Sequence, residues 1–165
     1  MHQKALFMKT KLFLFLAFFS FLFINESLSQ EYIFSSKNKK AVKYYQTAES
    51  AYKQRELSLA ENSLQQAVKT DPKFIEAWLL LGDVSTELKN TEEAKNAYQQ
   101  AISIDPDFFP PVYYFLGNLY FSDGEYEEAI AQYTYFLEFE NTTETQKTLA
   151  GIGLKKATFA FSEKN

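Results

Sequence analysis

The stretch WLLLGD, residues 78–83, holds the only tryptophan of a 165-residue chain and one of its five glycines. A glycine inside an apolar helical stretch costs about 1 kcal/mol against alanine. Its place at position 82 therefore asks for a compensating reason. Leu81-Gly82 returns downstream as Leu116-Gly117, and other positions return with it: Ala60, Leu64, Ala67 and Pro72 recur as Ala94, Tyr98, Ala101 and Pro106, each displaced by 34 residues. A third copy, displaced by 35, reads Ala129, Tyr133, Phe136 and Asn141, with the extra residue in the FFPP turn at 108–111. Repetition at this period is the mark of stacked supersecondary units, each burying its neighbour's apolar face.

Within each copy, apolar residues recur at spacings of three and four and break at turn signals, which predicts two amphipathic helices per copy. Asn90-Thr91-Glu92-Glu93 and Ser122-Asp123-Gly124-Glu125 sit between the paired helices. They offer polar caps followed by carboxylates near a positive helix start. Asp71-Pro72 and Asp105-Pro106 close the second helices, because proline cannot continue one.

These residues resemble the tetratricopeptide repeat family, a 34-residue helix-turn-helix with a W-x₂-L-G-x₂-Y, A-x₃-F, A, P pattern. Trp78 matches the bulky wedge and Gly82 the small residue, placed where two helix backbones cross closely. Ala94 and Ala101 keep the second helix near for the same reason. Ser85 stands where the family favours tyrosine. The third copy restores that residue with Tyr113, Leu116, Gly117 and Tyr120, but carries Phe136 and Asn141 for the last alanine and the proline. In the first copy Tyr44, Thr47, Ala48 and Ala51 match weakly, while its second helix matches well. The resemblance implies an all-α fold: a short right-handed superhelix of three helix pairs, at 41–74, 75–109 and 110–142, plus a C-terminal capping helix at 143–161. That helix opens on a candidate capping box, Thr143-x-x-Gln146, and carries Leu149, Ile152 and Gly153 at first-helix spacing. Gly151 has no role in this reading. Most of the aromatics are expected to pack between helices.

The first 29 residues read differently from the rest. Basic Met8-Lys9-Thr10-Lys11 precedes LFLFLAFFSFLFI, residues 12–24, too short to span a bilayer, and Ser27-Leu28-Ser29 offers a processing site. We expect a signal peptide at 1–29 with Gln30 as the mature N-terminus, Met8 as an alternative start, and a flexible lead-in at 30–40. An uncleaved anchor fits length and flanks less well. Removing Lys4, Lys9, Lys11 and Glu26 from 17 basic and 21 acidic residues leaves 14 and 20, a net charge of about −6. That sign disfavours nucleic acid and anionic membranes as partners. The one histidine, His2, lies in the leader and there is no cysteine, so the mature chain holds no His or Cys zinc site, nucleophile or disulfide. An exported protein of a bacterial envelope, periplasmic, outer-membrane-associated or secreted, fits these features.

In the family the first helices line a concave groove that holds an extended peptide or a helix. Projected here, the resemblance selects Val42, Tyr45, Glu49 and Tyr52; Glu76, Leu79, Asp83 and Glu87; and Tyr114, Asn118 and Phe121. This set is acidic and aromatic, suited to a segment with Lys or Arg beside apolar anchors. One subgroup grips a chaperone's terminal carboxylate with Lys, Arg and Asn, but the matching faces here carry Tyr45, Glu49, Leu79 and Asp83, which would repel it. Glu92-Glu93 and Glu127-Glu128 could be imagined as acid and base, yet they lie in first helix turns and point in different directions. Asn141-Thr142-Thr143 fits a glycosylation acceptor but reads better as the start of the last helix. We expect no catalytic residue, metal or cofactor, and a non-enzymatic adaptor that binds a protein or peptide. The alternative is a structural part of an envelope or outer-membrane assembly, since the order of parts loosely resembles the N-terminal region of outer-membrane proteins that continue into a β-propeller and an OmpA-like domain.

Overall fold

The alternation of helical spacing and turn signals resolves into seven helices and no strand among the described residues. The computed structural model describes residues 33–164. The expected signal peptide, its processing site and the start of the lead-in lie outside the described residues. In chain order the helices are α1 (Lys39–Lys53), α2 (Leu57–Thr70), α3 (Ile75–Glu87), α4 (Thr91–Ile104), α5 (Pro111–Ser122), α6 (Tyr126–Leu137) and α7 (Glu144–Lys164). They pack as three hairpins, α1 with α2, α3 with α4 and α5 with α6, and α7 then lies against α6. None of these helices is long and apolar enough to cross a membrane.

Each hairpin turns on one residue in the left-handed region: Arg55 (φ 64°), Lys89 (φ 63°) or Gly124 (φ 76°). Around it the backbone closes the same two bonds. Lys89 N–H donates to the Thr86 carbonyl at 3.0 Å and Asn90 N–H to the Ser85 carbonyl at 2.8 Å, and the other hairpins repeat this at Tyr52 and Ala51 and at Phe121 and Tyr120. Carbonyls orphaned by the helix end are satisfied in this way. The expected side-chain caps do not form. Asn90 and Glu125 precede α4 and α6 without a side-chain cap bond, and Ser122 ends α5 instead of lying in the turn. The Asn90 amide reaches the Glu61 carboxylate of the preceding hairpin instead, at 3.1 Å.

Gly82 is buried, but a ring fills the space beside it, not a closely crossing backbone. A Cβ built there would stand 2.3 Å from the Tyr98 ring. Gly117 and Gly153 both face Tyr133, at 2.8 and 2.7 Å, so one ring is seated between α5 and α7. The first hairpin has Ala48 and Leu64 at the corresponding places, both fully buried. A slimmer side chain there accompanies a fuller helix surface. The bulky residues are tied as well: Trp78 Nε1 donates to the Pro72 carbonyl at 2.9 Å and the Tyr113 hydroxyl to the Pro106 carbonyl at 3.2 Å. Each thereby fixes the turn closed by the proline that ends the preceding helix. Leu64, Leu81, Leu116, Phe74 and Phe136 are almost wholly buried, each contributing about 1.5–3 kcal/mol.

The lead-in departs from expectation. From residue 34 it is a strap, and α1 already begins at Lys39. Phe34 packs edge-on against Tyr45 and Phe74, at 5.3 and 5.7 Å between ring centres. Ser35 Oγ accepts from Ile75 N–H at 3.0 Å, satisfying a donor at the start of α3 that Phe74, in the cap position, has no side chain to serve. Ser36 Oγ donates to Asp71 at 2.5 Å, and Asn38 Oδ1 caps α1 through Lys40 N–H and Ala41 N–H at 3.0 and 3.3 Å.

At the other end, Gln146 N–H donates to Thr143 Oγ1 at 3.2 Å while Thr143 N–H donates to Gln146 Oε1 at 2.9 Å, a reciprocal capping box. The helix continues beyond residue 161 to Lys164, whose ammonium reaches the Gly124 carbonyl at 3.2 Å and lies over the Tyr126 ring. Gly151 has nothing within 4 Å of where its Cβ would stand. Ser85 is fully buried and its Oγ has no partner among the described residues.

Gly82→Ala should lower unfolding stability by about 1–3 kcal/mol through overpacking against Tyr98. Gly151→Ala should raise it by about 0.5–1 kcal/mol through helix propensity alone. Urea unfolding with an unchanged m-value reads both, and shifts of the same sign would contradict the packing described. In the same assay Ser85→Ala should gain about 1 kcal/mol by removing an unsatisfied hydroxyl.

Candidate functional site

The hydroxyls of the rings seated on glycine emerge on the first-helix side. Tyr98 donates to Asp83 Oδ1 and Tyr133 to Asn118 Oδ1, both at 2.7 Å. Core packing thus orients two of the residues selected from sequence. Around them lies a hollow of about 270 Å³ lined by Tyr52 of α1, Asp83, Thr86 and Glu87 of α3, Tyr98 of α4, and Phe115, Asn118 and Leu119 of α5. A second, of about 200 Å³, is lined by Tyr114, Asn118 and Phe121 of α5, Tyr133 of α6, and Leu149, Ile152, Gly153 and Lys156 of α7. Asn118 belongs to both, so the two are neighbours on one face.

Of the eleven residues selected from sequence, Tyr52, Asp83, Glu87, Tyr114, Asn118 and Phe121 are brought together in these hollows. The rest are engaged elsewhere. Glu76 is buried and accepts from Ser35 N–H at 3.0 Å and Ser35 Oγ at 2.5 Å, because the strap lies over it. Tyr45 packs on Phe34 and Phe74. Val42 lies against the core shared by the first and second hairpins, and Leu79 against the core shared by the second and third hairpins and α7. Glu49 pairs with Lys53 one turn on, at 3.1 Å. Tyr98, Tyr133 and the α7 residues were missed by projecting first helices alone, and Thr86, Phe115 and Leu119 lie on first helices but outside the projected positions. The first-helix spacing of Leu149, Ile152 and Gly153 was the signal that could have added α7.

The electrostatics of the first hollow are uneven. The Tyr52 hydroxyl donates to Glu87, which pushes its pKa up to about 12, with burial adding to the effect. The same bond, with Arg55 Nη1 at 2.5 Å, holds the Glu87 carboxyl below its usual range. Asp83 behaves oppositely. Burial pushes its carboxyl above the ordinary range, the Tyr98 bond works against this, and the Glu87 charge adds to it. A larger hollow of about 400 Å³ opens between α4, α5 and α6, lined by residues such as Ile102, Tyr113 and Tyr135, and holds no charged side chain.

Among the described residues the group with metal-ligand spacing is Glu92, Asp123 and Glu125. Its centre is taken. The buried Lys95 ammonium lies 2.6, 2.9 and 2.8 Å from those carboxylates and over the Tyr120 ring. Burial opposes the charge on Lys95, but hydrogen bonds to Glu125, Glu92 and Asp123 outweigh it and hold the pKa above the usual lysine range. The cluster fastens α4 to the turn between α5 and α6.

The tetratricopeptide repeat family model matches residues 75–108 and 110–139, the second and third hairpins. No curated protein matches the sequence. Among solved structures, the first TPR of Spaghetti (RPAP3) bound to the HSP90 peptide SRMEEVD superposes with a TM-score of 0.65 at 20% identity, over 74% of this chain and 94% of that one. The fold is that of tetratricopeptide repeats. The TPR2B domain of yeast Sti1 in its pHsp70 complex gives 0.62 at 17% identity, over 72% and 96% of the two chains. The Yersinia enterocolitica type III secretion chaperone SycD, in complex with a peptide of the translocator YopD, gives 0.62 at 17%, over 75% and 94%. Repeats of this kind leave a first-helix face beside the packed core, and in this chain that face carries the two hollows.

A raised folded-state pKa means that Asp83 favours folding below the ordinary carboxyl range, and that this contribution is lost as pH rises through the raised value. Ionised Asp83 is therefore destabilising at neutral pH. Asp83→Asn, which keeps an Oδ1 acceptor for Tyr98, should be more stable than the parent at pH 7, and the gain should vanish in acid. Urea midpoints measured across that pH range would contradict the assignment if the parent gained stability on ionisation.

Proposed function

We propose that this chain is a non-enzymatic adaptor whose first-helix face docks an extended protein segment. The observation that carries this reading is the pair of adjoining hollows, one bearing two carboxylates, the other holding aromatic and aliphatic side chains beside Lys156, that share Asn118 and draw on α1, α3, α5 and α7. Such a face suits a segment with a basic residue near α3 and apolar anchors near α7. It suits an acidic tail poorly: the HSP90 peptide in the RPAP3 structure carries two Glu and an Asp, which Asp83 and Glu87 would repel. In this reading the basic and apolar stretch at 1–29 serves as a leader, which supports an exported, envelope-associated protein, and the net charge without it supports basic partners.

A second reading, a structural part of an envelope assembly, is favoured by the far end of α7. Phe159 is 67% exposed there, beyond the Leu149 and Ile152 that line the second hollow. In that reading the end of the repeat stack makes the contact.

Panning a random peptide library against the protein should yield binders that lose about tenfold or more in affinity on Asn118→Trp, which obstructs both hollows, and little on Phe159→Glu. Circular dichroism checks that both variants keep their helical content. The reverse pattern would favour the assembly reading, and binders indifferent to both variants would sink groove docking.

A further inference from the structure

We infer that the hollow between α1, α3 and α5 is a receptor for one cationic side chain, an arginine or lysine carried by the docked segment. This rests on the docking reading above and names what its first hollow takes. The charges there do not balance. Glu87 is matched by Arg55 at 2.5 Å and by the Tyr52 hydroxyl. Asp83 receives only the neutral Tyr98 hydroxyl, and none of the described residues forms an ion pair with it. One negative charge is left over, on a carboxylate whose Oδ2 remains open as an acceptor. Burial and the Glu87 charge both disfavour ionised Asp83, and an entering cation offsets the two by pairing with that carboxylate.

The walls fit the same ligand. Tyr52, Tyr98 and Phe115 line the hollow, with the rings of Tyr98 and Phe115 6.3 Å apart and tilted by 36°. Aromatic faces attract ammonium and guanidinium groups through the ring quadrupole. Both tyrosine hydroxyls are already committed as donors to the carboxylates. An anionic ligand would meet those carboxylates, and a neutral one would leave Asp83 desolvated and unpaired. The volume, about 270 Å³, suits a single long side chain and not a helix. The chain itself holds cations by the same means elsewhere: Lys95 sits among three carboxylates with its ammonium 5.4 Å from the Tyr120 ring centre.

The test is a titration of the isotope-labelled protein, followed by amide NMR, with N-acetyl-arginine methylamide and N-acetyl-lysine methylamide. The norleucine and glutamate analogues serve as controls. At least one cationic probe should move the amides of Asp83, Thr86 and Asn118 saturably, and the affinity should fall about tenfold or more in Asp83→Asn. That variant is expected to be the more stable protein at pH 7, so loss of binding is separable from loss of fold. Equal shifts with norleucine or glutamate, absence of shifts with both cationic probes, or unchanged affinity in Asp83→Asn, would overturn the receptor. Library-selected peptides that bind the first-helix face without any basic residue would remove this receptor and leave docking standing. Failure to select any binder would remove docking itself.

Discussion

A tyrosine ring pressed onto a glycine is the contact on which this stack depends. Gly82 gives up helix propensity so that the Tyr98 ring can pack against α3, and Gly117 and Gly153 do the same for Tyr133 from two helices. Each ring buries far more apolar surface than a methyl group would, which outweighs the weakened helix. The contact also sets the spacing between the two helices of a hairpin. Because Tyr133 touches α5 and α7 at once, the last helix is held by the same ring that closes the third hairpin.

Those rings do a second thing. A tyrosine buried along most of its length still needs a partner for its hydroxyl. Here the partners are Asp83 and Asn118, whose side chains lie on the exposed first-helix side. Packing and recognition surface are therefore mechanically joined: the geometry of the hollows is set from inside the core. The carboxylate at position 83 is kept at a cost to folding, since burial and Glu87 both disfavour its charge. Carboxylates retained against stability are concentrated where proteins bind something.

Much of this was legible beforehand, and the reasons differ by residue. The helix pairs followed from repeated spacing, because the shared register of Ala60, Ala94 and Ala129 is a one-dimensional pattern that the chain displays without folding. The capping box at Thr143 and Gln146 was legible for the same reason, being a local exchange of bonds three residues apart. Glu76 was misplaced because the residue that covers it, Ser35, comes 41 positions earlier and carries no periodic signal. Lys95 gave a partial hint through Glu92 one turn before it, but Asp123 and Glu125 join only across the stack. The turn residues Asn90 and Ser122 look like caps in isolation, yet the backbone closes those turns by itself around a left-handed residue.

By itself, then, the amino-acid order determined which segments are helices and how they pair, since both follow from short-range periodicity, whereas the side of each first helix left over came only from the family resemblance. The tertiary structure alone decided that a ring and not a crossing backbone fills the gap at Gly82, that residues 34–38 form a strap, and that α7 completes the second hollow. The physical reason is common to all three. Each depends on atoms far apart in the chain meeting in one volume, and the sizes and hydrogen-bonding needs of those atoms are known only once the helices have been brought together.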